Sequence, residues 1–315
     1  MKNILTLTVN PALDITTRTE RVIPVRKLRC SAARRDPGGG GINVARVLKR
    51  FGTEATAIFP VGGSTGERLE SLVAKEGVVR VTVPIAEETR ENFTVNESGS
   101  REQYRFVLKG PTYSEAEWQA CLDALTEHIS AGNILVASGS LPEGVPIDFY
   151  AAAAKVAANA GASFILDTAG AALEGALGPG VSLIKPNLRE LGDLVGKDVA
   201  DESAQIDACH TLVGEEKTSA VALTLGAEGA LLVTRDGVWR ARPPKVATES
   251  AVGAGDSFTA GMVWGLASGW QVEKAFSLGI AAGAAAALTP GTELCHADDV
   301  WRFADEVCPE KISGF

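Results

Sequence analysis

The residues between Ala251 and Gly261 have types and an order that suit proton abstraction beside a bound anion. Gly253, Ala254 and Gly255 precede Asp256, and an apolar, helix-like run follows. Glycines expose backbone N–H groups, which at the start of a helix form an anion site with the positive end of the helix dipole. A carboxylate there would repel the anion, so Asp256 is predicted to be a general base. The alternative is that Asp256 only caps the helix.

A second glycine-rich stretch precedes another predicted helix. Four glycines, Gly38 to Gly41, are followed by the amphipathic segment 42–50. This run predicts that a large group approaches the backbone closely. The alternative, a flexible linker, is usually longer and rich in serine. A dinucleotide site is disfavoured because the run lacks the G-x-G-x-x-G spacing.

Composition and charge narrow the class of protein. The chain has 315 residues, 45% of them hydrophobic, and a net charge of −9. These values are typical of a soluble globular protein, and the negative charge disfavours nucleic acid or an anionic membrane as the main partner. No apolar run is long enough to span a membrane, and the first residues form no signal peptide. The five scattered cysteines indicate neither zinc nor disulfides, so we expect a cytoplasmic protein.

Strands and helices alternate along most of the sequence. This alternation predicts a main α/β body with a mainly parallel central sheet covered on both faces, formed by residues 1–14, 33–87 and 110–315. Ligands of such sheets bind at the carboxyl ends of the strands. Polar residues and one glycine fall at or just beyond five predicted strand ends: Asp14, Ser140, Asp167, Asn187 and Gly226. Two Ala- and Gly-rich helices are expected after Gly261, and a frayed terminus from Cys308 onward.

Two segments lack helical crossovers. Residues 15–32 and 88–109 contain β-branched, aromatic and basic side chains, and the second segment alternates apolar and polar residues around Gly99. We expect them to form a small antiparallel β-sheet outside the main body, acting as a lid. Its exposed strands are predicted to pair with a second copy of the chain, giving a homodimer.

Four motifs in this order resemble the ribokinase-like sugar kinases, and more narrowly the PfkB branch of that family. They are the glycine run, the turn Ser138 to Pro142, Lys185-Pro186-Asn187 with Glu190, and Gly253 to Asp256. The resemblance extends from the first strand to about Cys295. It implies a three-layer α/β/α fold and phosphoryl transfer from ATP to a hydroxyl of a phosphorylated sugar.

The resemblance also implies roles for individual residues. Asp256 would be the catalytic base, and Gly253, Ala254 and Gly255 would form the anion hole for the transferring phosphoryl group. Glu190 and Asp167 are candidates for holding Mg²⁺. The ATP phosphates and ribose would be lined by Lys185, Asn187, Thr224, Gly226 and Gly229. A monovalent-cation site, usually for K⁺, would use Ser250, Val252, Ala286, Thr289, Gly291 and Glu293. Taken singly, Glu190 could equally be a first-turn helix carboxylate and Asp167 a turn former.

On the sugar side, the resemblance assigns the hydroxyl-binding positions to Asp14, Gly39, Gly40, Asn43 and Ser140. Four cations of the lid segments, Lys27, Arg29, Arg90 and Arg105, are predicted to bind a phosphate, because guanidinium groups match phosphate oxygens. The alternative is that these four are solvated charges that blunt the sheet edges.

The function that the resemblance implies is ATP-dependent 6-phosphofructokinase activity. Tagatose-6-phosphate kinase and 1-phosphofructokinase use the same chemistry, and a pocket often tolerates small changes in a sugar. An alternative of a different class is a sugar-phosphate sensor without turnover. The intact Asp256 motif argues against that alternative.

Overall fold

Long runs of buried, mostly apolar strands build the centre of this protein. The computed structural model describes residues 1–100, 102–291 and 293–313. Its strands within those residues are β1 (Ile4–Leu7), β2 (Ala12–Thr19), β3 (Arg34–Gly38), β4 (Ala55–Val61), β5 (Val79–Pro84), β6 (Arg90–Glu97), β7 (Gln103–Val107), β8 (Ile134–Ser138), β9 (Ser163–Asp167), β10 (Val181–Ile184), β11 (Ala220–Thr224), β12 (Ala230–Thr234), β13 (Gly237–Ala241) and β14 (Glu310–Ser313).

The larger sheet has the order β14-β13-β12-β11-β10-β9-β8-β1-β4-β5. Seven neighbouring strands of this sheet pair in parallel, in the spatial order β5-β4-β1-β8-β9-β10-β11. Strands β12, β13 and β14 are added antiparallel at the β11 edge. Strand β8, for example, is buried at every residue, as expected for a parallel sheet covered on both faces. The prediction of a mainly parallel central sheet is confirmed.

Helices cover both faces of the larger sheet. They are α1 (Gly40–Arg50), α2 (Gly63–Lys75), α3 (Glu115–His128), α4 (Phe149–Ala160), α5 (Ala171–Ala176), α6 (Leu188–Val195), α7 (Glu202–Gly214), α8 (Ala254–Ala267), α9 (Val272–Ala286) and α10 (Ala297–Ala304). One hydrophobic cluster packs α1, α2, α8, α9 and α10 on one face, and a second packs α3 to α7 on the other. These layers give the three-layer α/β/α arrangement that the family resemblance implies.

A smaller four-stranded sheet has the order β3-β2-β6-β7. Its two outer pairs are antiparallel, and its central pair, β2 with β6, is parallel. The hairpin around Gly99 joins β6 to β7 as predicted. Large apolar side chains of this sheet are exposed, namely Phe93, Phe106 and Val107, as is Leu108 directly after β7.

The structure corrects three expectations about the chain's organisation. Asp14 lies inside β2 and not in a turn after the first strand. Strand β3, expected in the main body, belongs to the smaller sheet, because Arg34–Gly38 pairs with β2 despite its weak strand propensity. The terminus expected to fray from Cys308 onward instead forms β14, which pairs with β13 and covers the sheet edge. Residues 314 and 315 lie outside the described residues. No helix of the described ranges has both the length and the apolarity needed to cross a membrane.

Candidate active site

Helix α8 begins at the centre of the site. Its N-cap is Gly253, whose φ of 76° is in the left-handed region, and no side chain caps the helix. The conformation requires glycine, and a Cβ on Gly253 would lie 2.6 Å from Leu294 Cδ2 and so displace that side chain. Asp256 is therefore the third residue of the helix, and the alternative that it is the N-cap is wrong. Its carboxylate instead accepts a hydrogen bond from Asn43 Nδ2 at 2.8 Å.

The environment of Asp256 favours its neutral form. Burial raises its pKa to about 7, and the negative charges of Asp167 and Asp14 act in the same direction. The hydrogen bond from Asn43 and the charge of Lys185 oppose this shift. A pKa close to neutrality is suited to a general base, because the group exchanges a proton readily near neutral pH.

The glycine run brings the backbone of α1 against the same carboxylate. A Cβ on Gly40 would collide with Ser138 Oγ and lie 3.3 Å from Asp256 Oδ1. A Cβ on Gly38 would lie 2.5 Å from Asp14 Oδ2. The approaching groups are side chains of the same chain, which excludes a flexible linker. The approach of a large group to this run stays a prediction.

A cavity of about 220 Å³ lies between the smaller sheet and α8. Asp14 faces it and accepts a hydrogen bond from Asn92 Nδ2 at 2.9 Å, a partner that sequence analysis missed. The exposed side chain of Arg105 also lines it. Its other polar or glycine lining residues include Gly39, Gly40, Asn43, Thr94, Gly253 and Asp256.

Four predicted sugar-side residues do not line this cavity. Lys27 and Arg29 are exposed in the loop between β2 and β3. Arg90 is half-buried, and its guanidinium donates to Asn10 O at 2.9 Å and to Leu108 O at 3.1 Å. Ser140 accepts a hydrogen bond from Asn10 Nδ2 at 3.1 Å. The two arginines of β6 and β7 therefore have different partners. Arg105 faces the cavity, whereas Arg90 does not line it and donates to backbone carbonyls.

A larger cavity, of about 940 Å³, lies on the other side of the α8 N-terminus. All five residues predicted to contact a nucleotide line it: Lys185, Asn187, Thr224, Gly226 and Gly229. Glu190 lines the same cavity. Gly255 and Ala254 line this cavity, whereas Gly253 and Asp256 line the smaller one. The first turn of α8 therefore separates the two cavities and faces both.

Sequence analysis missed one wall of the larger cavity. The segment after β13 contributes Pro243, Pro244, Val246 and Thr248, and α9 contributes Ile280, Gly283 and Ala284. The sequence predicts Ala- and Gly-rich helices here, and no part in the site is assigned to these three residues. The prolines before α8 were a signal, since they mark an extended segment that could form a wall.

Lys185 and Asp167 form an ion pair between the ends of two adjacent strands. Lys185 Nζ lies 3.1 Å from Asp167 Oδ1, and Thr259 Oγ1 donates to Asp167 Oδ2 at 3.1 Å. Burial alone would lower the pKa of Lys185, but the charge and hydrogen bond of Asp167 raise it above its usual value. Lys185 thus stays charged beside Gly255, where an anionic group would need a cation.

Glu190 and Asn187 form a capping box at the start of α6. Asn187 Oδ1 accepts from Glu190 N, and Glu190 Oε2 accepts from Asn187 N, both at 2.9 Å. Glu190 is therefore a first-turn carboxylate that also lines the larger cavity. No cluster of three His, Cys, Asp or Glu side chains suited to a metal occurs in residues 1–100, 102–291 and 293–313. This donor set still fits Mg²⁺, which retains several waters and uses few carboxylates.

Several oxygens at the predicted monovalent-cation positions already have partners. The Ala286 carbonyl accepts from Thr289 Oγ1 at 2.9 Å, and Ser250 Oγ accepts from Val252 N at 3.2 Å. Glu293 Oε2 accepts from Arg34 Nη1 at 3.0 Å. Gly291 has a φ of 61° and is buried.

Comparison with known proteins agrees with this geometry. Residues 8–299 match the pfkB family carbohydrate kinase model. The chain belongs to the pfkB family of carbohydrate kinases. It is 47% identical over 300 residues to ATP-dependent 6-phosphofructokinase isozyme 2 of Mycobacterium tuberculosis, covering 95% of this chain and 88% of that protein. With the isozyme 2 enzyme of Escherichia coli the identity is 43%, covering 96% of this chain and 98% of that protein.

Solved structures of the family share the fold. Phosphofructokinase-2 from Escherichia coli in complex with fructose-6-phosphate superposes with a TM-score of 0.92 at 40% identity, covering 97% of this chain and 99% of that one. The same enzyme in complex with potassium gives a TM-score of 0.94 at 42% identity, with the same coverage. The ribokinase-like fold and sugar kinase activity expected from the sequence are confirmed.

Proposed function

We propose that this protein is an ATP-dependent 6-phosphofructokinase, which converts fructose 6-phosphate into fructose 1,6-bisphosphate. The observation that carries the proposal is the position of the α8 N-terminus between two cavities of different size. The larger cavity has room for a nucleotide, and the smaller one for a sugar. The relatives from Mycobacterium tuberculosis and Escherichia coli bear the name of this activity.

Asp256 is the proposed base for the sugar hydroxyl. Its carboxylate takes the proton of the 1-hydroxyl while the bond between that oxygen and the γ-phosphorus forms. The bond between the γ-phosphorus and the β,γ-bridging oxygen breaks, and ADP leaves. The backbone amides from Gly253 to Gly255 and the charged Lys185 stabilise the negative charge on the transferring group.

Cations complete the proposed nucleotide site. Mg²⁺ bound to ATP would be held from Glu190 and Asp167, through water, and would neutralise charge on the phosphates. The residues proposed for K⁺ are Ser250, Val252, Ala286, Thr289, Gly291 and Glu293. Glu293 would act through its backbone, since its side chain pairs with Arg34.

The smaller sheet is proposed to recognise the sugar phosphate and to form a homodimer. Arg105 faces the cavity that also contains Asp14 and Asn43. Arg90 supports that surface from its edge, and Lys27 and Arg29 lie on the same sheet's exposed loop. The exposed apolar side chains Phe93 and Phe106 suit burial against a second copy. We place the enzyme in the cytoplasm, consistent with its free cysteines.

A coupled assay of ADP release tests the proposed substrate. Fructose 6-phosphate, fructose 1-phosphate, tagatose 6-phosphate and fructose are compared at equal concentrations with saturating MgATP. The proposal predicts the highest kcat/KM for fructose 6-phosphate. A preference for fructose would contradict the role of the smaller sheet, and a preference for fructose 1-phosphate would assign 1-phosphofructokinase activity, the name of a relative that is 37% identical.

A further inference from the structure

Arg46 lies one turn beyond Asn43 on α1 and contacts the far end of its side chain. Arg46 Nη1 donates to Asn43 Oδ1 at 2.9 Å, while Asn43 Nδ2 donates to Asp256 Oδ2 at 2.8 Å. Residues three apart on a helix lie on the same face, so the contact follows from the helix itself. The amide of Asn43 therefore lies between a guanidinium group and the carboxyl group of Asp256.

This arrangement fixes which way the Asn43 amide points. A guanidinium group can only donate hydrogen bonds and an ionised carboxylate can only accept them. Turning the amide by half a rotation would place its NH₂ group against Arg46 and its oxygen against Asp256. Both hydrogen bonds would be lost, and two like-charged pairs of atoms would face each other.

Arg46 is itself held in place. Its side chain is 2% exposed, and its Nη2 lies 2.8 Å from Glu76 Oε1 while its Nε donates to both oxygens of that carboxylate. Its Nη1 also donates to Pro37 O at 3.0 Å, at the start of the glycine run. A guanidinium with so many partners has one orientation available, so its Nη1 group stays in a fixed position to donate to Asn43.

The position of Glu76 is unfavourable for α2 alone. Glu76 is the C-cap residue of that helix, where the negative end of the helix dipole repels a carboxylate. The pair with Arg46 offsets this repulsion and explains an acidic residue there. Arg46 in turn would be a buried, unpaired charge without Glu76.

We propose that Arg46 and Glu76 are positioning residues that orient the catalytic base through Asn43. This proposal rests on Asp256 being the base. Arg46 contacts neither proposed cavity, so its effect passes through the Asn43 amide. The other charged groups facing Asp256 are Asp167, Lys185 and Asp14, and none of them contacts Arg46 in the hydrogen bonds and ion pairs of the described residues.

The test replaces the ion pair by neutral side chains of similar size, Arg46→Met with Glu76→Gln, a change that proteins often tolerate. We expect kcat to fall by about ten- to a hundredfold, the size of effect produced by a misplaced catalytic group. KM for ATP should change little. The acid limb of the pH profile of kcat/KM should move to higher pH, because Asn43 lowers the pKa of Asp256. The control, Arg80→Met with Glu70→Gln, removes another ion pair of α2 and should leave both readouts unchanged.

A second background separates positioning from general stability. In an Asn43→Ala enzyme, Arg46→Met with Glu76→Gln should cause no further loss of kcat, because the amide that links Arg46 to Asp256 is already absent. Arg46→Lys retains a charge opposite Glu76 but has no fork to reach Asn43 as well, so it should fold and still lose kcat about tenfold.

Two outcomes would overturn the proposal. One is wild-type kcat and an unmoved acid limb in Arg46→Lys, whether or not the paired variant folds. The other is that Arg46→Met with Glu76→Gln lowers kcat by the same factor in the wild-type enzyme and in the Asn43→Ala enzyme. A wrong assignment of Asp256 as the base gives a different result from a wrong role for Arg46. In the first case the Asp256→Asn enzyme would turn over at the wild-type rate.

Discussion

Lys185 Nζ lies 3.1 Å from Asp167 Oδ1 at the carboxyl ends of β10 and β9. Asp167 therefore has a partner in the protein before any metal binds. Its negative charge also raises the pKa of Asp256. One carboxylate thus keeps the lysine charged beside the first turn of α8 and makes the proposed base a stronger base.

The pH dependence of the wild-type enzyme follows from the pKa of Asp256. A base is active when deprotonated, so kcat/KM for the sugar phosphate should be constant above pH 8 and fall below an apparent pKa of about 7. A pH series with MgATP saturating measures this limb. A rate that stays constant down to pH 5 would contradict the assigned pKa.

Asp167→Asn should move the acid limb of the pH profile of kcat/KM to lower pH. Removing the negative charge lowers the pKa of Asp256, so the variant should retain activity at a pH where the wild type has lost it. The sugar phosphate also titrates near pH 6, but its pKa is the same in both reactions. An unmoved limb, or one moved to higher pH, would show that Asp167 does not act on Asp256. A raised Mg²⁺ requirement in the same variant would support the metal role of Asp167.

Arg105→Met should weaken binding of the sugar phosphate. The arginine faces the smaller cavity without the backbone hydrogen bonds that hold Arg90, so its loss should leave the sheet intact. We expect KM for fructose 6-phosphate to rise about tenfold or more, from the loss of a charge-assisted hydrogen bond, with a smaller change in kcat. Steady-state kinetics measure both, and Arg80→Met on β5 is a matched control. An unchanged KM would remove Arg105 from phosphate recognition.

Phe106→Asp should convert the proposed homodimer into a monomer. Phe106 is 55% exposed on β7 beside other apolar side chains, and an aspartate there would introduce a charge into a buried interface. Light scattering at micromolar concentration measures the mass. A wild-type monomer at that concentration, or an unchanged dimer in the variant, would contradict the predicted interface.

Asp256→Asn should stabilise the fold above neutral pH. The folded state raises the pKa of this group from 3.8 to about 7, so the charged form costs stability above pH 7 and costs none below the unfolded value. We expect the variant to gain up to about 4 kcal/mol at pH 8, because each pKa unit corresponds to about 1.4 kcal/mol, with a Tm higher by a few degrees. The difference should disappear near pH 4. Thermal unfolding of both proteins across that pH range provides the measurement, and a variant that melts lower at pH 8 would contradict it.

The sequence predicts the parts of the site that depend on local pattern. The glycines at the starts of α1 and α8, and the polar residues at the ends of β9 and β10, mark the strand and helix ends that meet in the site. What the pattern misses depends on distant partners. Glu76 reaches Arg46 only because α2 ends beside α1, and no periodicity indicates that pairing.

The missed elements of the fold have a similar cause. Strand β14 has only four residues and is a strand because it pairs with the edge strand β13. Ile280 and Gly283 look like packing residues on an apolar helix, and they line the larger cavity together with the segment after β13. Tertiary pairing, which a single sequence does not display, decides both cases.

The turnover number of the Asp256→Asn enzyme tests the central claim most directly. Both enzymes are assayed for ADP release with saturating MgATP and fructose 6-phosphate, at a pH above 8 where the wild-type carboxylate is charged. If Asp256 takes the proton of the sugar hydroxyl, kcat falls at least about a hundredfold while the variant stays folded. A variant that turns over at a rate close to that of the wild type would contradict the assignment of Asp256 as the base.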